Sequence, residues 1–331
     1  MVNIKRKVIQ IAKSTQLVSL PRAWAERNNI QKGDELEIEE RESTLIVSTD
    51  KATTQMAIVI DTQKWGPFQK NFLSAAYHLG YDEVMIRFDD ECTVNDIQER
   101  MKNCIGYEMV NQGKDFCEIK AISHALFSEF DQILKKSFLL ILTMGKNSYE
   151  LITAKEYNRL KEAINLEETN NRLTDFCKRV LNKKGYQTKP TKTNIVYTIS
   201  SDLERVADNY KFLCQYLVEH PITLKKESLV LYQEVNMLFE DYYKVFYKIH
   251  KKSFAELYQQ QRQLKEKIIK TMLSAPSQEM GFFHFLANIN YLIYEMINGL
   301  GSEILIRLED ALGYRDDECA KADKQLREAG L

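Results

Sequence analysis

Residues 7–24 read KVIQIAKSTQLVSLPRAW, and this stretch decides how the chain opens. Its Lys-rich start alternates apolar and polar residues as a half-buried strand does, then breaks at Pro21 into a short helix. Pro21 suits the first helical turn because its fixed φ matches a helix and its missing N–H removes nothing there. The following segments, DELEIEE (34–40) and TLIVSTD (44–50), alternate again around RES, so residues 2–50 read strand, short helix, strand, turn, strand. About 50 residues bury little surface alone, so this unit is expected to dimerise or dock on something.

Charge is segregated along the same stretch. Within residues 1–32, Lys5, Arg6, Lys7, Lys13, Arg22, Arg27 and Lys32 face only Glu26. Residues 33–50 reverse this, with Asp34, Glu35, Glu37, Glu39, Glu40, Glu42 and Asp50 against Arg41. The formal charge of the whole chain is −1, so any pull toward nucleic acid is local. Basic side chains on a strand platform neutralise phosphates. The same charges also suit a solvated surface partnered by the acidic strands.

At 331 residues the chain is long enough for two or three cores. Its six cysteines (Cys92, Cys104, Cys117, Cys177, Cys214, Cys319) are scattered without a C-x-x-C pair, which points to reduced thiols in a cytoplasmic protein and away from a zinc site. The longest apolar run, FLLIL at 138–142, is far short of the ~20 residues of a spanning helix, so no membrane insertion is expected.

Residues 56–122 alternate strand and helix: MAIVID, a helix near 65–79 closed by Gly80, EVMIRF, a helix near 94–105 closed by Gly106, then YEMV and FCEIKA as a hairpin. No Gly-rich phosphate loop follows a strand, and GKNS at 145–148 lacks the context of one. From about 124 onward helical periodicity takes over. Pro190, Pro221 and Pro276 divide it into helices at 126–150, 154–182, 192–219, 223–250, 254–274 and 280–312, which parse as two successive three-helix units. In the last helix Phe282, Phe285, Leu286, Ile289, Leu292, Ile293, Met296, Ile297, Leu300 and Ile304 share one arc and read as core. The expected fold is multidomain α+β: residues 1–50, a linking α+β module at 51–123, and a mainly α region at 124–331.

The run RKVIQIAKSTQLVSLPRAWAERNNIQKGDELEIEERESTLIVS resembles the AbrB, SpoVT and MazE swapped-hairpin DNA-binding domain, through VSLPRAW and QKGDELEI. That resemblance implies two chains interleaved into one barrel, a homodimer, with basic side chains of the first strands and adjoining loop on double-stranded DNA. Carried over by position, Lys5, Arg6, Lys7, Lys13 and Arg22 are the expected contacts. The family also includes antitoxins.

In DLERVADNYKFLCQYL (202–217), Leu203, Val206, Tyr210, Leu213 and Leu217 make a core stripe, and Glu204 and Asp208 lie four apart on the opposite face. Like charges at that spacing destabilise a helix by roughly 0.2–0.5 kcal/mol unless something neutralises them. A hard or iron-type metal does so, and so do Arg205 and Lys211 on a wet surface. The segment DLERVADN resembles the D-L-E-R-I-x-D-H helix of PhoU proteins, phosphate-uptake regulators built from two three-helix bundles. That resemblance implies a surface metal ion of iron, zinc or magnesium type on Glu204 and Asp208. Glu167 in LEETNNRL takes the acidic place on the preceding helix, but Asn171 stands where an aspartate is expected. A shift of 80 residues sets His284 over Glu204 and Asn288 over Asp208, so in a duplicated bundle the second acidic pair is gone.

The five histidines occur singly, and neither H-E-x-x-H nor G-x-S-x-G is present, which argues against an enzyme. Together the two resemblances imply a fused regulator of phosphate uptake of the kind described in archaea, binding DNA as a dimer and sensing phosphate status through its helical region. The rival is a PhoU-like adaptor on a phosphate transporter ATPase or a sensor protein. A carboxylate-bridged metalloenzyme is less favoured, because Glu-x-x-His sets are missing.

Overall fold

The computed structural model describes residues 5–11, 15–41, 44–49, 56–65, 70–88, 92–122, 129–186, 190–248 and 251–312. The chain divides into two compact units, Met1–Gln55 and Met56–Leu331.

In the first unit, β1 (Ile9–Ile11) and β2 (Thr15–Leu17) form one antiparallel hairpin, with Ile9 opposite Leu17. Helix α1 (Arg22–Arg27) follows, and then β3 (Glu37–Arg41) pairs with β4 (Thr44–Ser48), Ile38 opposite Val47. The strand β2 extends the sequence expectation; three residues are too few to show a period. Pro21 sits at the N-cap with extended ψ, one position earlier than expected, and its carbonyl accepts from the N–H groups of Trp24 and Ala25. Each hairpin is a separate two-stranded sheet, and no described residue of this unit is buried. Among its described residues the apolar side chains of Ile9, Ile11, Leu17, Ile38 and Leu45 are exposed.

The second unit opens with a four-stranded sheet ordered β5-β6-β8-β7. Its strands are β5 (Ala57–Asp61), β6 (Glu83–Arg87), β7 (Tyr107–Gln112) and β8 (Phe116–Ala121). The β5–β6 pair is parallel, connected through α2 (Thr62–Trp65) and α3 (Lys70–His78). After β6 comes α4 (Cys92–Met101), and β7 and β8 form the expected antiparallel hairpin. Alternation sends Val84, Ile86, Cys117 and Ile119 into a core with Leu73, Tyr77 and Ile97. Gly80 and Gly106 have φ of +88° and +84°, the left-handed conformation that lets the chain turn from each helix into the next strand.

Six long helices follow: α5 (Phe130–Thr153), α6 (Lys161–Lys184), α7 (Thr193–Glu219), α8 (Lys226–Tyr247), α9 (Lys251–Ser274) and α10 (Met280–Leu312). Helices α5, α6 and α7 pack together, as do α8, α9 and α10, and the two sets join through α7 on α10 and α5 on α8. One continuous core results. Phe138 of α5 lies 5.1 Å from Phe246 and 6.1 Å from Phe239 of α8, ring to ring. The apolar arc of α10 is buried as expected from Phe282 to Leu300, with Phe285 partly so; the Ile304 side chain lies outside the described set. Gly145 falls inside α5, where a Cβ would come within 2.9 Å of Asn236 Oδ1, so GKNS serves helix packing. Helix α6 starts at Lys161, later than expected, because Lys155 turns left-handed (φ 60°) and a 3₁₀ turn occupies Tyr157–Leu160. No described helix is long and apolar enough to cross a membrane.

The sheet module and the first three helices are bolted together. Helix α3 packs on α6, and Arg179 of α6 reaches under its C-terminal end. Its guanidinium donates to the carbonyls of Tyr77 (3.0 Å) and Tyr81 (2.7 Å) and to Asp82 Oδ1 (3.1 Å), with its Cζ 5.0 Å from the centroids of both the Tyr77 and Tyr107 rings. Carbonyls at a helix C-terminus carry partial negative charge, so a buried cation is favoured there. Lys183 also binds Asp82, and Asp82 Oδ2 accepts the N–H of Met56 where the unit begins.

Candidate functional site

Two sets of residues come forward. The first is basic. Lys5, Arg6 and Lys7 run into β1 exposed, with no ion pair among the described residues. Arg22 is exposed too, but its Nε lies 2.8 Å from Glu26 Oε1 one helical turn on, which compensates its charge. Lys13 lies outside the described residues. The contiguous Lys5–Lys7 segment is therefore the strongest uncompensated positive charge that the described part of this unit presents.

The second set is acidic and sits where α6 and α7 run side by side. Glu167 is buried, and Asp208 is half-buried across from it. Lys211 joins them: its Nζ stands 2.7 Å from Glu167 Oε1 and 2.6 Å from Asp208 Oδ1. Asn171 donates its amide to Glu167 Oε1 at 2.6 Å. Burial pushes the Glu167 carboxyl above its ordinary range, the Lys211 ammonium pulls against that, and its hydrogen bond with Asp208 raises it further, leaving it raised. Burial works against the Lys211 charge, but its hydrogen bonds to Asp208 and Glu167 hold its pKa above the usual value.

Glu204 belongs to another cluster. Its carboxylate is bound by Lys178, which also lies 3.6 Å from Asp175. Asp175 is almost fully buried and meets His78 Nε2 at 2.7 Å and Arg100 Nη2 at 2.8 Å. Burial alone would raise Asp175, but the His78 hydrogen bond and the charges of His78, Lys178 and Arg100 hold it below its ordinary value. The structure thus joins Glu167 and Asp208 through Lys211 and gives Glu204 a different partner, Lys178. Arg205 turns to Asp202 and leaves the neutralising of Asp208 to Lys211.

This donor set does not fit the metal that the PhoU resemblance implies. Each carboxylate is engaged by an ammonium group, which a cation would first have to displace, and Asn171 supplies no charge. Among the described residues no group of three His, Cys, Asp or Glu side chains is placed to hold a metal ion. Sequence reasoning missed Lys178, Arg179 and Asp175. Asp82, the partner of Arg179, and His78 and Arg100, the partners of Asp175, lie far upstream, and Lys178 pairs with Glu204 on the next helix, so no local spacing announces them.

Residues 9–53 match a family model described as antidote-toxin recognition MazE, bacterial antitoxin, and this match lies wholly within the first unit. Among solved structures the chain is similar to the phosphate transport system regulatory protein PhoU from Streptococcus pneumoniae. The identity is 15%, the match covers 53% of this chain and 92% of that one, and the TM-score is 0.43. No curated protein matches the chain.

Proposed function

We propose that the chain is a dimeric DNA-binding regulator whose helical region reads phosphate status. The observation that carries this reading is the first unit, similar to MazE over residues 9–53, which has no buried described residue. Val8, Ile9, Ile11, Leu17, Ile38 and Leu45 all lie exposed on its two hairpins. Apolar residues on both hairpins of a unit this small call for a partner surface, and a second copy interleaving its own hairpins supplies one. Dimerisation then sets two Lys5–Lys7 segments on one body, and a two-fold pair of basic segments suits a two-fold duplex site. Backbone phosphates supply most of the affinity, and a few Arg or Lys contacts to base edges, with DNA shape, supply selectivity.

The phosphate part of the reading rests on DLERVADN and on the two three-helix sets. In it the helical region answers phosphate itself or a protein partner; a metal enters at Glu167, Glu204 and Asp208 only by displacing Lys211 and Lys178. A signal alters DNA affinity only if it binds two arrangements of the dimer differently.

The test is binding to DNA from the gene's own neighbourhood across a salt series, beside a variant with Lys5, Arg6 and Lys7 changed to Ala. Affinity is expected to fall steeply, by roughly 10³-fold between about 50 and 200 mM salt for six phosphate contacts, and to be lost in the variant. Ile38→Lys should turn the dimer into monomer by light scattering while the helical region keeps its melting temperature. A folded dimer that binds no DNA, with phosphate present or absent, overturns this reading in favour of an adaptor on a phosphate transporter ATPase or a sensor protein.

A further inference from the structure

The second three-helix unit contains a cavity with no part in the DNA reading. It lies between α9 and α10 and measures about 320 Å³, at the small end of the range for small-molecule sites. Three aromatic rings border it: Tyr258 from α9, and Tyr291 and Tyr294 from α10. The Tyr294 centroid is 6.2 Å from that of Tyr258 and 6.4 Å from that of Tyr291. Tyr291 is exposed, and Glu295 one turn on raises the pKa of its hydroxyl through a hydrogen bond.

Two cations share the α9 wall. Arg262 and Lys265 follow Tyr258 at spacings of four and three, so all three lie on one helical face. Neither has an ion pair among the described residues, and no carboxylate lines the cavity. Lys267 on the same helix behaves differently, sitting 2.9 Å from Glu234. Arg262 and Lys265 thus form a charge pair held in reserve beside aromatic surface.

The lining ends in two amides. Gln261 and Asn290 are each 3% exposed, and Gln261 Nε2 donates to the Asn290 backbone carbonyl at 3.4 Å. Asn290 Oδ1 is buried with no hydrogen-bond partner. Native interiors seldom leave such an acceptor unmade, and this side chain lines the cavity. A turn of its amide is needed to present that acceptor to a donor entering the cavity.

We propose that this cavity binds a nucleoside monophosphate. The base stacks on the tyrosines, as bases do on aromatic side chains whatever their identity. The phosphate takes charge-assisted hydrogen bonds from Arg262 and Lys265, and an N–H of the base is donated to Asn290. Inorganic phosphate would leave the rings and the amides unused. An uncharged aromatic would leave the cations unused. Only a ligand carrying a planar ring, a donor edge and an anion uses all three features.

Calorimetric titration of the full-length protein with AMP, GMP, CMP and UMP tests this, beside adenosine, ribose 5-phosphate and inorganic phosphate. At least one mononucleotide is expected to bind once per chain, and removing either its base or its phosphate should weaken it by roughly tenfold or more. The double variant Arg262→Ala/Lys265→Ala and the single variant Tyr291→Ala should each show a loss of similar size, while Lys270→Ala, exposed on the same helix away from the cavity, should bind as the parent does. Asn290→Leu should erase any preference among the four bases. The proposal is overturned if no mononucleotide binds up to about 1 mM. It is also overturned if binding survives the double variant, or if inorganic phosphate or ribose 5-phosphate binds as well as a nucleotide. Binding here is independent of DNA, so its failure leaves the regulator reading untouched, and failure to bind DNA leaves this site untouched.

Discussion

The contact of α6 with α7 and the contact of α9 with α10 occupy the same place in two successive three-helix sets, and their side chains have gone opposite ways. In the first set Lys211 closes on Glu167 and Asp208, and Lys178 ties Glu204 to Asp175 and through it to His78 and Arg100 of the sheet module. In the second, an 80-residue shift puts Tyr291 where Lys211 stands, and Arg262 and Lys265 face the neighbouring helix with no carboxylate between them. The same helical frame therefore supports a seam that satisfies itself and one that keeps its charges for something else. Like-charged side chains near each other persist at little cost where water reaches them, whereas buried ones must be paired on the spot.

The contrast can be broken at graded cost. Removing Arg179 by Arg179→Ala strands Asp82 and the Tyr77 and Tyr81 carbonyls, and should destabilise the second unit by about 3–5 kcal/mol in denaturant titration. Lys211→Met leaves Glu167 buried without its cation, at a cost of about 2–3 kcal/mol, and Glu167→Gln in the same chain should restore most of it. The pH dependence of that variant carries a sign. A carboxyl raised above its unfolded value favours folding less as pH rises, so Lys211→Met should gain stability on acidification toward the ordinary Glu value of 4.5.

Asp175 behaves in reverse. Its lowered pKa contributes stability that is complete above the ordinary value of 3.8 and is lost as pH falls through the folded value. Asp175→Asn should flatten the acid limb of the stability curve below that point, as read by thermal melts over a pH series. At the other end of the scale, Arg262→Ala and Lys265→Ala should each change stability by no more than about 0.5 kcal/mol. A large effect at either would mean that these cations are structural and that the two seams are alike after all.

Much of the fold was legible because its boundaries are written in single residues. The glycines after α3 and α4 and the prolines between the long helices mark ends that need special backbone geometry, and Leu203, Val206, Tyr210, Leu213 and Leu217 of α7 are all buried as their spacing requires. The polar seams were not legible. Asp175 and Arg179 stand in a helix whose sequence reads as wet, and the approach of α3 and α4 from far upstream gives them their buried partners. The α9 face was equally hidden, since Tyr258, Arg262, Lys265 and Ile269 alternate at spacings of four and three but mix polarity, so no apolar arc stands out. Glu167, Glu204 and Asp208 were picked out as a trio by position, yet two lysines divide them, Lys211 taking Glu167 and Asp208 and Lys178 taking Glu204.

The buried thiols give the second unit a pair of internal reporters in each half. Cys104 and Cys117 lie in the sheet module, and Cys177 and Cys214 lie in the first helical set; all four are free and buried. Burial pushes Cys104 up to about 12, Cys117 to about 11 and Cys214 to about 12, and Cys177 rises as well. Only the thiolate is alkylated, so in the closed protein these sulfurs are both shielded and protonated. With Cys92 and Cys319 changed to Ser, the rate of iodoacetamide uptake would count how often each half opens. If the Arg179 bolt holds, both pairs should take up label with one rate, and cutting that bolt should let the module's pair react first.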